Sequence, residues 1–125
     1  MLMGYLALIV AEVPRWISMI VEDGKIDFGT FKHEQPKTTE DLVRQFDENM
    51  VRVREVLAKA TDETLEGIFV LAANGKTLMS GKKKVMVSSS INHLVHHRGQ
   101  LTVYLRLNNI PVPSLYGPSA DDPTF

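Results

Sequence analysis

Two histidines four residues apart, His93 and His97, stand inside the run that constrains this chain most. Apolar residues Ile91, Leu94, Val95, Leu101 and Leu105 recur around them at three- and four-residue steps, the period of an amphipathic helix. On a helix, residues four apart lie one above the other on the same face. The pair therefore shares a stripe with Gln100 and Tyr104, and two imidazoles so placed can bite one metal ion. A bare H-x-x-x-H pattern is common, and the same histidines also suit plain packing and hydrogen bonding. Gly99 lies mid-helix, where it costs about 1 kcal/mol relative to Ala and predicts the close approach of another backbone.

The chain has 125 residues, the size of one domain over 1–125 with a single core. It contains no cysteine, which excludes disulfides, a thiolate nucleophile and a thiolate metal site. Any metal must be held by His, Asp, Glu or water. The net charge of −1 gives no pull toward nucleic acid or an anionic membrane. Lys82-Lys83-Lys84 is a short basic run without interleaved aromatics and reads as solvated surface. The apolar start lacks the basic flank of a signal peptide, and Glu12 interrupts it well before the ~20 residues of a membrane span. A buried helix and a cytoplasmic protein are the expectation.

Three long helices follow from the pattern. The first covers 4–22, carried by Leu6, Ile9, Val10, Val13, Trp16, Ile17 and Ile20 and stopped at Asp23-Gly24, with Pro14 expected to kink or divide it. The second covers 39–60: Thr38 or Thr39 caps it, and Leu42, Phe46, Met50 (or Asn49), Val53 and Leu57 (or Val56) form its apolar stripe. The third covers 84–108 and ends at the proline-rich tail, where Val112, Leu115 and Tyr116 are expected to fold back. Residues 25–37 read as a connection pinned by Phe28 and Phe31, with His33 a solvated loop histidine. Thr61–Thr64 suits a helical turn, and Asn74-Gly75 between apolar runs over 68–79 signals one small hairpin. The fold class expected is all-α, an antiparallel helical bundle.

His93 to Arg106, H-L-V-H-H-R-G-Q-L-T-V-Y-L-R, followed from Ile110 by I-P-V-P-S-L-Y-G-P-S-A-D, resembles the C-terminal motif of the DinB/YfiT-like superfamily. The early segment Gly4 to Trp16 is similar to that family's second bundle helix, G-x-L-A-x-H-V-A-E-x-P-x-W. The resemblance implies a four-helix bundle, often a homodimer, with a three-histidine divalent-metal site. It also implies thiol-dependent transfer with a low-molecular-weight thiol, or a metal-dependent hydrolytic or isomerising step, on a small-molecule substrate. Two of the three ligands fall on His93 and His97; the third falls on Ile9, which cannot ligate. Glu12, one turn on, is the nearest replacement, although an acid is common there in the family beside an intact histidine. Gln100 and Tyr104 would line the pocket or support the ligands, and Arg98 is turned away, suited to an ion pair. Any zinc or nickel is then expected to be weak or absent. The family's bundle has one more helix, before 4–22, so three helices are expected to leave the apolar side of the first uncovered: either the chain is shortened or the missing layer comes from a second copy. A metal-free dimeric binding or structural protein remains the other reading. DNA binding is suggested only by the "damage-inducible" name, against the charge balance.

Overall fold

The computed structural model describes residues 2–125. The chain is mostly helical, with a small three-stranded sheet. In order it forms α1 (Met3–Glu22), β1 (Lys25–Asp27), α2 (Thr39–Lys59), α3 (Asp62–Glu66), β2 (Ile68–Ala73), β3 (Lys76–Lys82) and α4 (Lys83–Leu107).

Helix α1 is the centre of the packing. It lies against both α2 and α4, and Ile9, Val13 and Ile17 meet Val53 of α2 in one apolar cluster, with Leu94 and Val87 of α4 packed on it. Ile20 meets Ile26 of β1 and Phe69 of β2 in a second cluster. Burying each such side chain stabilises by roughly 1.5–3 kcal/mol, so α1 is held on three sides. By length and composition it could cross a bilayer, but more than half of its apolar window is buried against the rest of the chain. The helix continues through Pro14 as one element, and Ser18 donates its hydroxyl to the Pro14 carbonyl at 3.2 Å.

The expectation that α1 would leave an uncovered apolar side is corrected. Among the described apolar side chains of α1 and its N-cap, only Leu2 (the N-cap) and Tyr5 are large and well exposed, both at the start. Exposed apolar side chains lie instead on α4 (Val85, Ile91, Val95, Val103 and Leu107), on α2 (Val43, Val51 and Leu57), on the sheet and the connection after β1, and in the tail.

Thr38 caps α2 by accepting from the Asp41 amide, and Thr61 caps α3 by accepting from Thr64. The hairpin forms at the expected turn: Asn74 (φ 51°) and Gly75 (φ 79°) both take the left-handed conformation of a tight two-residue loop. β3 runs on to Lys82, and α4 follows directly.

Residues 25–37 are not merely a connection. Lys25–Asp27 pairs in parallel with Val70–Ala72, giving the sheet order β1-β2-β3. Three residues are too few to show a strand period, and the partner lies more than forty residues along the chain. Burial of Ile26 and the carboxylate of Asp27 fix the strand: Asp27 accepts from the amides of Gly29, Asn74 and Gly75 at 2.8 Å each, tying the connection to the hairpin turn. Those amides, Gly75 first, hold the Asp27 carboxyl below its usual range.

Three smaller expectations change. Gly99 admits no close neighbour: a Cβ there would meet nothing within 4 Å. Lys82 and Lys84 both pair with Glu66 and hold its carboxyl down at about 2, while Lys83 donates to the Val21 carbonyl, so the basic run is not merely solvated. In the tail, Val112 is buried but Leu115 and Tyr116 are exposed, and Arg98 stacks over the Tyr116 ring at 4.9 Å.

Candidate metal centre and adjoining cavity

Helix α4 carries the two histidines one turn apart, and their ring centroids are 4.5 Å from each other. His97 is the buried member and the only buried residue of α4; His93 opens to solvent on one side and meets the Trp16 ring edge-on at 5.6 Å. Partial burial, then the neighbouring His97 and His96, push the His93 imidazole below its ordinary range. A neutral imidazole is the form that can ligate a metal.

Gln100 stands one further turn along. Its Oε1, an acceptor, lies 2.7 Å from His97 Nδ1, so Nδ1 carries the hydrogen and the Nε2 lone pair is left for another partner. Orientation of a ligand histidine through its second nitrogen is the usual support in metal sites. Tyr104 continues the stripe, half-buried. Of the five residues expected at the site, the structure thus brings His93, His97 and Gln100 together.

Glu12 does not join them. It is completely buried on α1, with Oε2 2.6 Å from His33 Nδ1 and Oε1 accepting the Glu34 amide at 2.9 Å. Among the described residues, no group of three or more His, Cys, Asp or Glu is placed to hold one ion. Ile9 is buried in the apolar cluster against which Leu94, the neighbour of His93, packs.

Beside His93 a cavity of about 190 Å³ opens between α1, α4 and the sheet. Trp16 and Ile20 of α1, Phe69 of β2 and Phe31 of the connection wall it, and His93 and Ser90 stand on its α4 side.

A family model described as "DinB family" matches residues 5–124. The chain belongs to the DinB family. No curated protein and no solved structure gives a significant match.

Within this DinB protein, His33 is the residue that sequence reasoning missed. It stands in the 28–37 connection as a lone histidine among charged residues, with no periodicity to link it to Glu12, twenty-one positions earlier. The one available signal was Glu12 itself: a carboxylate inside an apolar helix must find donors when it is buried. Arg15 adds to the same attachment. Its guanidinium donates to the Lys32 carbonyl at 3.2 Å and lies over the Phe31 ring at 4.9 Å. The latch therefore holds Phe31 in the cavity wall.

Proposed function

We propose that this DinB protein is a small-molecule enzyme with a weakened divalent-metal site, anchored at two points by His93 and His97. The observation that carries the reading is the bond from His97 Nδ1 to Gln100 Oε1, beside a second imidazole 4.5 Å away. It leaves one nitrogen of the buried ring free for an ion, and the donor set suits zinc or nickel. The chain's own donors fit two positions of the site and not three. Ile9 stands where the family places its third histidine, and Glu12 is committed to His33 and Glu34.

The family reading adds a low-molecular-weight thiol as co-substrate for transfer, or water as the nucleophile for hydrolysis. A divalent ion there would supply Lewis acidity at neutral pH. The residues do the rest. Gln100 orients the His97 ring, Trp16 meets His93 edge-on, and Leu94, between the two histidines, anchors this stretch of α4 on the apolar cluster of α1 and α2.

Calorimetric titration with Zn²⁺ and with Ni²⁺ tests the reading. Weak one-to-one binding is expected, lost on His93→Ala and on His97→Ala. Heat that survives both substitutions unchanged would sink it.

The second reading, a metal-free protein that works by pairing with another copy, draws support from the exposed apolar side chains of α4. Light scattering at micromolar concentration should give about twice the chain mass under that reading. A dimer that forms equally well in His97→Ala and binds no metal would favour it over the first.

A further inference from the structure

The cavity beside His93 has a composition that the metal reading does not use. No Asp, Glu, Lys or Arg lines it, and its aromatic walls are Trp16, Phe28, Phe31 and Phe69. Met79 and Met86 add flexible thioethers, which pack well against ring edges. Polar side chains stand on one side only, where Ser89 and Ser90 of α4 and His93, about one turn further on, line the cavity. Phe28 and Met79 are 55% and 46% exposed, so the apolar wall reaches the surface and gives a way in.

We propose that this cavity is a binding site for a small, uncharged, single-ring aromatic compound bearing one hydroxyl. The ring lies among Trp16, Phe31 and Phe69, and the hydroxyl bonds to the Ser90–His93 side. Size comes first: an apolar cavity of about 150 Å³ takes up benzene, so about 190 Å³ accommodates one ring with a few further atoms. Charge comes second. An ionised ligand would lose its hydration with no Asp, Glu, Lys or Arg lining the cavity to pair with it. Shape comes third, since four aromatic walls favour edge-to-face and offset contacts that a flexible chain cannot make. This inference goes beyond the metal reading and does not need the ion.

Trp16 is the only tryptophan, so its emission reports on the cavity directly. The experiment is quenching of Trp16 by 4-bromophenol in the full chain, in buffer with EDTA so that metal binding plays no part. Saturable quenching is expected, with half-saturation at about 0.1–1 mM for a ligand of this size. Bromobenzene should bind about five- to tenfold more weakly, the loss of one hydrogen bond. 4-Bromobenzoate should bind at least about tenfold more weakly. His93→Leu should remove the advantage of the phenol over bromobenzene, and His93→Gln, which keeps a donor and an acceptor, should restore it. Ser90→Phe should fill the cavity and abolish saturation. Unlabelled phenol should displace 4-bromophenol from the unmodified protein, which repeats the test with no question of folding. Quenching that rises linearly without saturation, or equal affinity for the benzoate, would overturn the proposal.

Discussion

Replacing His33 by Ala probes the latch between the 28–37 connection and the centre of α1. Glu12 has no exposed surface, and its two bonds to His33 and to the Glu34 amide are the ones that hold the carboxylate. Breaking a buried pair by removing one partner costs about 3–5 kcal/mol when the remaining charge stays dry. The His33 side chain is 39% exposed, so its truncation lets water reach Glu12 and recovers part of that cost. We therefore expect a loss of about 2–3 kcal/mol, between the net worth of one charge-assisted bond and the dry limit. At an m-value of about 1.5 kcal/mol/M, the urea midpoint should fall by about 1.3–2 M. Helicity followed in urea measures it. Adding Glu12→Leu to His33→Ala should recover much of the loss, because the unpaired carboxylate is then gone and the apolar surroundings accept a side chain of similar size. A midpoint shift below about 0.3 M for His33→Ala, or no recovery in the double variant, would refute the reasoning. The same variant should also weaken 4-bromophenol quenching, because Phe31 meets the His33 ring edge-on at 5.1 Å and stands in the cavity wall.

Further outcomes are expected elsewhere. Asp27→Asn should lower the thermal midpoint at pH 7. Because the folded-state pKa of Asp27 is depressed, its contribution is complete above the ordinary value of 3.8 and is lost as pH falls below it; the gap between variant and parent should therefore close in acid, and a constant gap from pH 7 to pH 2 would contradict the assignment. Gly99→Ala should stabilise α4 by about 1 kcal/mol in urea, since a Cβ there meets nothing; Gly29→Ala should destabilise, since its Cβ would come within 2.9 Å of the Asn74 amide nitrogen. The opposite order would show that one of these environments is misread. Gln100→Leu should weaken zinc binding about 10–100-fold with little loss of stability, by freeing the His97 ring; unchanged affinity in calorimetry would remove Gln100 from the site.

Helices α1 and α2 were legible because each repeats its apolar residues along one face; α4 is helical as expected, but Ile91 and Val95 of its expected apolar stripe are exposed and His97 is buried in their place. Boundaries at Thr38, Asp23-Gly24 and Asn108 carry their own capping and stop signals. Asn74-Gly75 announced the turn because few other residue pairs accept two left-handed conformations in succession. β1 was hidden. Its hydrogen bonds depend on Val70 and Ala72, and nothing within three residues signals a partner so far along the chain. The histidine pair and its link to Gln100 follow from helical spacing alone, since all three share one face of one element. Glu12 could not be placed the same way. Its partners come from a connection whose path is set by Phe31, Arg15 and the sheet, and by no period of its own. For Gly99 the sequence suggested a close neighbouring backbone, yet the position faces open space, and we have no packing reason for it.

Ile9→His is the most direct test of the central claim, that the site is weakened because one of three ligand positions is apolar. Zinc and nickel affinities should be measured by calorimetry for the parent, for Ile9→His, and for Ile9→His with His97→Ala. Ile9 is buried among Val13, Ile17 and Val53, so each protein is first melted to confirm that it folds. The account predicts weak binding in the parent, a gain of at least about tenfold when a third imidazole joins His93 and His97, and loss of that gain with His97→Ala. Tight stoichiometric metal in the parent, or a folded Ile9→His whose affinity is unchanged, would contradict it.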